Sequence, residues 1–77
     1  VAKRGSYLTL RGSVPSSARG QVVIDGSWNG GAWQVLSVAD GRSGSYRARL
    51  ALGRTGRLRL RVLFANGDRA VGAMRVR

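Results

Sequence analysis

Cysteine, histidine and glutamate are all missing from these 77 residues, and there is a single proline. Each absence removes a class of chemistry. Without cysteine there is neither a disulfide framework nor a thiolate metal site. Without histidine as well, a Ser–His pair, a Cys–His pair and an HExxH zinc centre are impossible from this chain. The only acids are Asp25, Asp40 and Asp68, and each stands beside a glycine, as Asp25-Gly26, Asp40-Gly41 and Gly67-Asp68. Aspartate next to glycine is turn chemistry, because the short carboxylate bonds its own backbone and glycine takes positive φ. Three separate turns are therefore expected rather than a carboxylate dyad, and no DxDxDG spacing offers a calcium loop. Gly41-Arg42-Ser43-Gly44 and Gly53-Arg54-Thr55-Gly56 lack the Walker spacing and read as hairpin turns with an exposed arginine. The expectation is a protein without catalytic centre, metal or cofactor.

Long hydrophobic runs are missing too. No stretch approaches the ~18 apolar residues of a membrane span, so no span is expected. The hydrophobic fraction of 43% is nonetheless ordinary for a globular chain. At this length one domain is expected, held by one small core. Val1 opens the chain with no legible signal segment, as expected of a processed product or of a domain from a longer protein.

What the sequence has in excess is arginine. Lysine and arginine total 14 against 3 acids, a net charge of +11, and Lys3 is the only lysine. A field of that sign attracts nucleic acid, anionic wall polymer or anionic lipid.

Glycines cut the chain into short pieces whose residues alternate, the signature of strands with one wet face. Leu8 and Leu10 alternate with Tyr7, Thr9 and Arg11, and Val22 and Ile24 with Val23 and Asp25. Tyr46, Ala48, Leu50 and Leu52 alternate with Arg47, Arg49 and Ala51. Leu58, Leu60, Val62 and Phe64 alternate with Arg57, Arg59, Arg61 and Leu63, while Met74 and Val76 oppose Arg75 and Arg77. The run Ala32–Ala39 has mixed parity, Trp33 and Val35 against Leu36 and Val38, which a bulge or burial on both faces would reconcile. Pro15-Ser16-Ser17-Ala18 has room for one helical turn at most. Six to seven short strands with turns between them predict an all-β fold, a single small antiparallel β-sandwich, with a small barrel as the alternative. Residues 1–5 read as a linker or lead-in, and residues 6–77 as the domain.

The order LTLRGSV, GQVVI, GGAWQVLSV, GSYRARL, GRLRLRV and a terminal MRVR resembles the small immunoglobulin-like (fibronectin type III-like) domains of bacterial secreted and cell-surface proteins. In that family a Gly-x-Trp opens the third strand and a Gly-x-Tyr or Gly-x-Phe the fourth, which Gly31-Ala32-Trp33 and Gly44-Ser45-Tyr46 match. The resemblance spans nearly the whole chain. It implies an immunoglobulin-like sandwich, a buried Trp33, an extracellular or cell-envelope location, and the role of a spacer or accessory beside another module.

Arg57, Arg59 and Arg61 project from one strand face at intervals of roughly 7 Å. A hairpin about Asn66-Gly67 would set Arg75 and Arg77 beside them, making a five-arginine candidate anion site. In an immunoglobulin topology Arg47 and Arg49 would lie on the other sheet, with Arg11 and Asp25 nearby. Trp28 has two fates. If Gly30-Gly31 is a two-residue turn, Trp28 and Trp33 are opposed and both enter the core. A longer loop would free Trp28 to stack on a sugar. The function expected is a monomeric, non-catalytic accessory docking on anionic cell-wall polymer or on neighbouring domains. The alternatives are a nucleic-acid-binding small barrel using the same arginines on phosphate, and a pure spacer.

Overall fold

In a computed structural model, which describes residues 3–77, every long element is a strand. They are β1 (Tyr7–Ser13), β2 (Gln21–Trp28), β3 (Gln34–Asp40), β4 (Ser45–Ala51), β5 (Gly56–Leu63) and β6 (Arg69–Val76), with one 3₁₀ turn at Ser16–Ala18. The strands form two antiparallel sheets, one of four in the order β3-β2-β5-β6 and one of two, β1-β4. The fold is a small β-sandwich, and the barrel alternative fails because neither sheet closes on itself. No helix among the described residues is long and apolar enough to cross a membrane. Val1 and Ala2, part of the expected lead-in, lie outside the described residues.

The core is made by the alternation itself. Val22, Ile24, Leu58, Leu60 and Val62 from the large sheet meet Ala48, Leu50 and Leu52 from the small one, and Val76 seals one end. Complete burial of a side chain such as Leu58 contributes roughly 1.5–3 kcal/mol. Tyr46 and Phe64 pack edge to face on this core, with ring centroids 6.1 Å apart. The β5–β6 hairpin turns at Ala65-Asn66-Gly67, where Gly67 has φ +93°. Asn66 Oδ1 accepts the Asp68 N–H, as turn chemistry predicts.

Three expectations are corrected, all around the end of β2. Asp25-Gly26 is not a turn: both residues are buried in the middle of β2. Gly26 is there because Leu36 of the neighbouring strand occupies the space its Cβ would take. The β2–β3 turn falls on Asn29-Gly30 rather than Gly30-Gly31, with φ of +52° and +78° and a bond from Gly31 N to Trp28 O. Positive φ at both central residues is the hairpin geometry that Asn-Gly favours.

Third, Trp33 does not enter the core. Opposed burial of the two tryptophans needs Trp28 level with Trp33, but the ladder begins with Gly26 level with Gln34, which sets Trp33 level with Ser27 on the outer face. A one-residue slip moves a side chain to the other face. A second slip, the expected bulge, follows between Ile24 and Asp25. It turns Leu36 inward while Val35 and Val38 stay out, 64% and 51% exposed.

Candidate functional site: the outer face of the large sheet

The register fixes what the outer face carries. One row across β3, β2, β5 and β6 reads Val35, Asp25, Arg61, Val71. The row on one side reads Val38, Val23, Leu63, Arg69. On the other side Ser27, Arg59 and Ala73 follow, then Arg57 directly opposite Arg75. The face is thus aliphatic toward one end, except for Arg69 at its β6 corner, and basic toward the other. Its exposed valines, Val35, Val38 and Val71, are the only large aliphatic side chains among the described residues that are mostly in solvent.

Arg61 does not join the basic end. Its Nη2 donates to Asp25 Oδ2 at 2.7 Å, and the two side chains are 23% and 9% exposed. Asp25 therefore lies on the large sheet against Arg61, not near Arg11, Arg47 and Arg49 as an immunoglobulin topology led us to expect. The reason is packing: an outward carboxylate in a central strand finds its counter-charge on the next strand of the same sheet.

Trp33 stacks on the arginine of this pair. The Arg61 guanidinium carbon is 4.3 Å from the indole centroid and that of Arg59 is 5.3 Å away. Arginine over an aromatic face is worth about 0.5–1 kcal/mol at exposed sites and more when desolvated. The hairpin end is held in place from both sides: the buried Ser27 hydroxyl donates to Gly31 O at 2.7 Å, and Asn29 Oδ1 accepts the Arg57 N–H. Trp28, on the inner side, is half-buried against the core with Arg54 5.5 Å from its ring. Of the two indoles, Trp33 is therefore the one among the arginines, which sequence reasoning missed. The turn does not explain it: Asn29-Gly30 alone would set Trp33 level with Gly26 on the inner face, and one extra residue between the turn and the β3 ladder sets it level with Ser27 instead.

Of the five arginines singled out from the sequence, the structure brings Arg57, Arg59 and Arg75 together at the basic end. Arg61 is committed to Asp25. Arg77 follows β6, its carbonyl accepting from Arg4 N. Arg57, Arg59 and Arg75 are exposed and form no ion pair among the described residues. The small sheet has its own basic face, where Arg11 stands opposite Arg47, and Arg49 lies 4.0 Å over the Tyr7 ring.

The third acid serves a turn. Arg42 closes on Asp40 through Nε and Nη2, both at 3.0 Å, and its backbone N–H also donates to Oδ1. The Arg42 side-chain bond, seconded by the backbone bond, holds the Asp40 carboxyl below its ordinary pKa. The small stabilisation this implies is present above the ordinary carboxylate pKa and is lost as pH falls through the lowered one. Carboxyl-carbon NMR should show Asp40 titrating below an unpaired aspartate, and Arg42→Ala should return the midpoint upward. An unchanged midpoint in that variant would show that Arg42 is not the cause.

No protein-family model and no curated protein matches this chain, so what marks the site is its own geometry: three exposed arginines with no ion pair among the described residues, one of them, Arg59, over the Trp33 ring.

Proposed function

We propose that this protein is a non-catalytic, immunoglobulin-like accessory domain of a bacterial secreted or surface protein that docks on anionic cell-envelope polymer. The observation that carries the binding reading is the cluster of Arg57, Arg59 and Arg75. Arg57 and Arg75 are directly opposed across the ladder. Such like-charge pairs cost a few tenths to about 1 kcal/mol. A polyanion laid along the face would convert that repulsion into attraction. The wiring supports the immunoglobulin-like part of the reading, since a two-stranded β1-β4 layer faces a β3-β2-β5-β6 layer with the last two strands as a hairpin. Arginine supplies paired donors in a fixed fork, suited to phosphate or carboxylate oxygens.

Nucleic acid is the second reading, favoured by Trp33 lying among arginines, since basic grooves with aromatics suit single strands. Amide-shift titration with phosphate-rich wall fragments, a DNA duplex and a single strand separates them. A duplex held by three phosphate contacts should lose about forty-fold in affinity between ~50 and ~200 mM salt. Wall fragments are expected to shift the amides around Arg57, Arg59 and Arg75 saturably. Arg57→Ser/Arg59→Ser/Arg75→Ser should weaken them about tenfold or more, one contact's worth at ~1.4 kcal/mol, while Arg42→Ser leaves them unchanged. If the triple variant binds like the parent, this face is not the site. If only DNA or the single strand binds at the higher salt, the nucleic-acid reading replaces the envelope one.

A further inference from the structure

The sandwich is lopsided: two strands cover four. β3 and β4 approach each other and close one side. β1 is therefore the small-sheet strand toward β6, and there the layer stops short. Ala70 and Gly72 share the inner face of β6 with Met74, because they are level with Val62, Leu60 and Leu58. Yet both are exposed, and no atom of the described residues lies within 4 Å of where a Cβ on Gly72 would be. Beside this opening Leu8 and Leu10 are only half-buried.

The free edge of β1 borders the same opening. Bonded positions alternate along an antiparallel strand. Those flanking β1 fall on even residues, Leu52 N to Ser6 O and Val14 N to Gly44 O. Leu8, Leu10 and Gly12 thus bond β4, and Tyr7, Thr9 and Arg11 turn their N–H and C=O groups to the open edge. Among the described residues no backbone bond meets them. Only an extended backbone matches such a row. The other free edges lack this combination: β3 and β4 face each other on the closed side, and a strand added to β6 would extend the large sheet further beyond its cover.

We propose that the β1 edge is a docking site for one β-strand of a partner protein, with aliphatic residues alternating with acidic ones. The aliphatic side chains would enter the opening over Ala70 and Gly72. The acids would lie outward beside Arg11, which now stands opposite Arg47 with no acid paired to either among the described residues. That charge selects against a second copy of this chain, since a net +11 on each would bring arginine rows together.

The test is hydrogen exchange by NMR with the capped peptide Glu-Val-Asp-Val-Glu-Val-Asp, alongside the same peptide N-methylated at every residue. The methylated peptide keeps charge and side chains but loses its N–H donors. The unmodified peptide should slow exchange of the Tyr7, Thr9 and Arg11 amides about tenfold or more and shift the Gly72 amide; the methylated one should do neither. Thr9→Pro removes an outward N–H without touching the β4 ladder, and edge strands tolerate proline. Gly72→Val fills the opening with a good strand former. Either folded variant should bind about tenfold more weakly. Equal binding by both peptides, slowed exchange on concentrating the domain alone, or shifts confined to the Arg57–Arg59–Arg75 face would each overturn the proposal.

Discussion

Asp25→Ala is expected to destabilise the domain by about 3 kcal/mol, the lower end for breaking a buried ion pair. The loss comes from what remains: Arg61 would keep its charge under Trp33 with no counter-ion. Native domains have ~5–15 kcal/mol in total, and chains this short fall at or below the lower end, so the variant should be substantially unfolded at modest urea concentrations. The pair is nonetheless weak as a net contributor. It is held by a single bond, while Asp25 Oδ1 and Arg61 Nε are both buried with no partner among the described residues. Replacing both members by apolar residues, Asp25→Leu/Arg61→Met, should therefore recover most of the loss, because the desolvation cost of two charges disappears. Urea midpoints of the single and double variants test this. A loss under about 1 kcal/mol for Asp25→Ala would mean the pair behaves like an exposed one.

Leu58→Ala should cost about 2–5 kcal/mol. Leu58 is fully buried in a central strand, level with Trp28 on one side and Met74 on the other. Calorimetry or urea unfolding checks the value, with Val35→Ala on the outer face as the control expected within ~0.5 kcal/mol of the parent. Equal effects at the two positions would contradict the division into inner and outer faces.

Both expectations turn on which side of a strand a residue occupies, and the two cases were not equally legible in the sequence. Leu58, Leu60 and Val62 against Arg57, Arg59 and Arg61 is an unbroken alternation, and β5 folds as it reads. The stretch from Asp25 to Val38 is different. Asp25-Gly26 carries a turn signature, yet it lies mid-strand because Leu36 needs the space above Gly26 and Arg61 needs the carboxylate. Both demands come from other strands. Trp33 went to the outer face because one extra residue lies between the Asn29-Gly30 turn and the β3 ladder, which reverses the parity the turn alone would have kept.

The sequence alone determined the strand class, the hairpin at Asn66-Gly67, the inward set of aliphatics and the sign of the field. These follow from a period of two and from turn chemistry, which act over a few residues. Tertiary structure decided which outward residues meet: Arg57 with Arg75, Arg61 with Asp25, Trp33 over Arg61, and an uncovered edge at β1. The physical reason is register. It is set by how two strands distant in sequence align, and a single slip leaves every local pattern intact while exchanging the partners of every side chain beyond it.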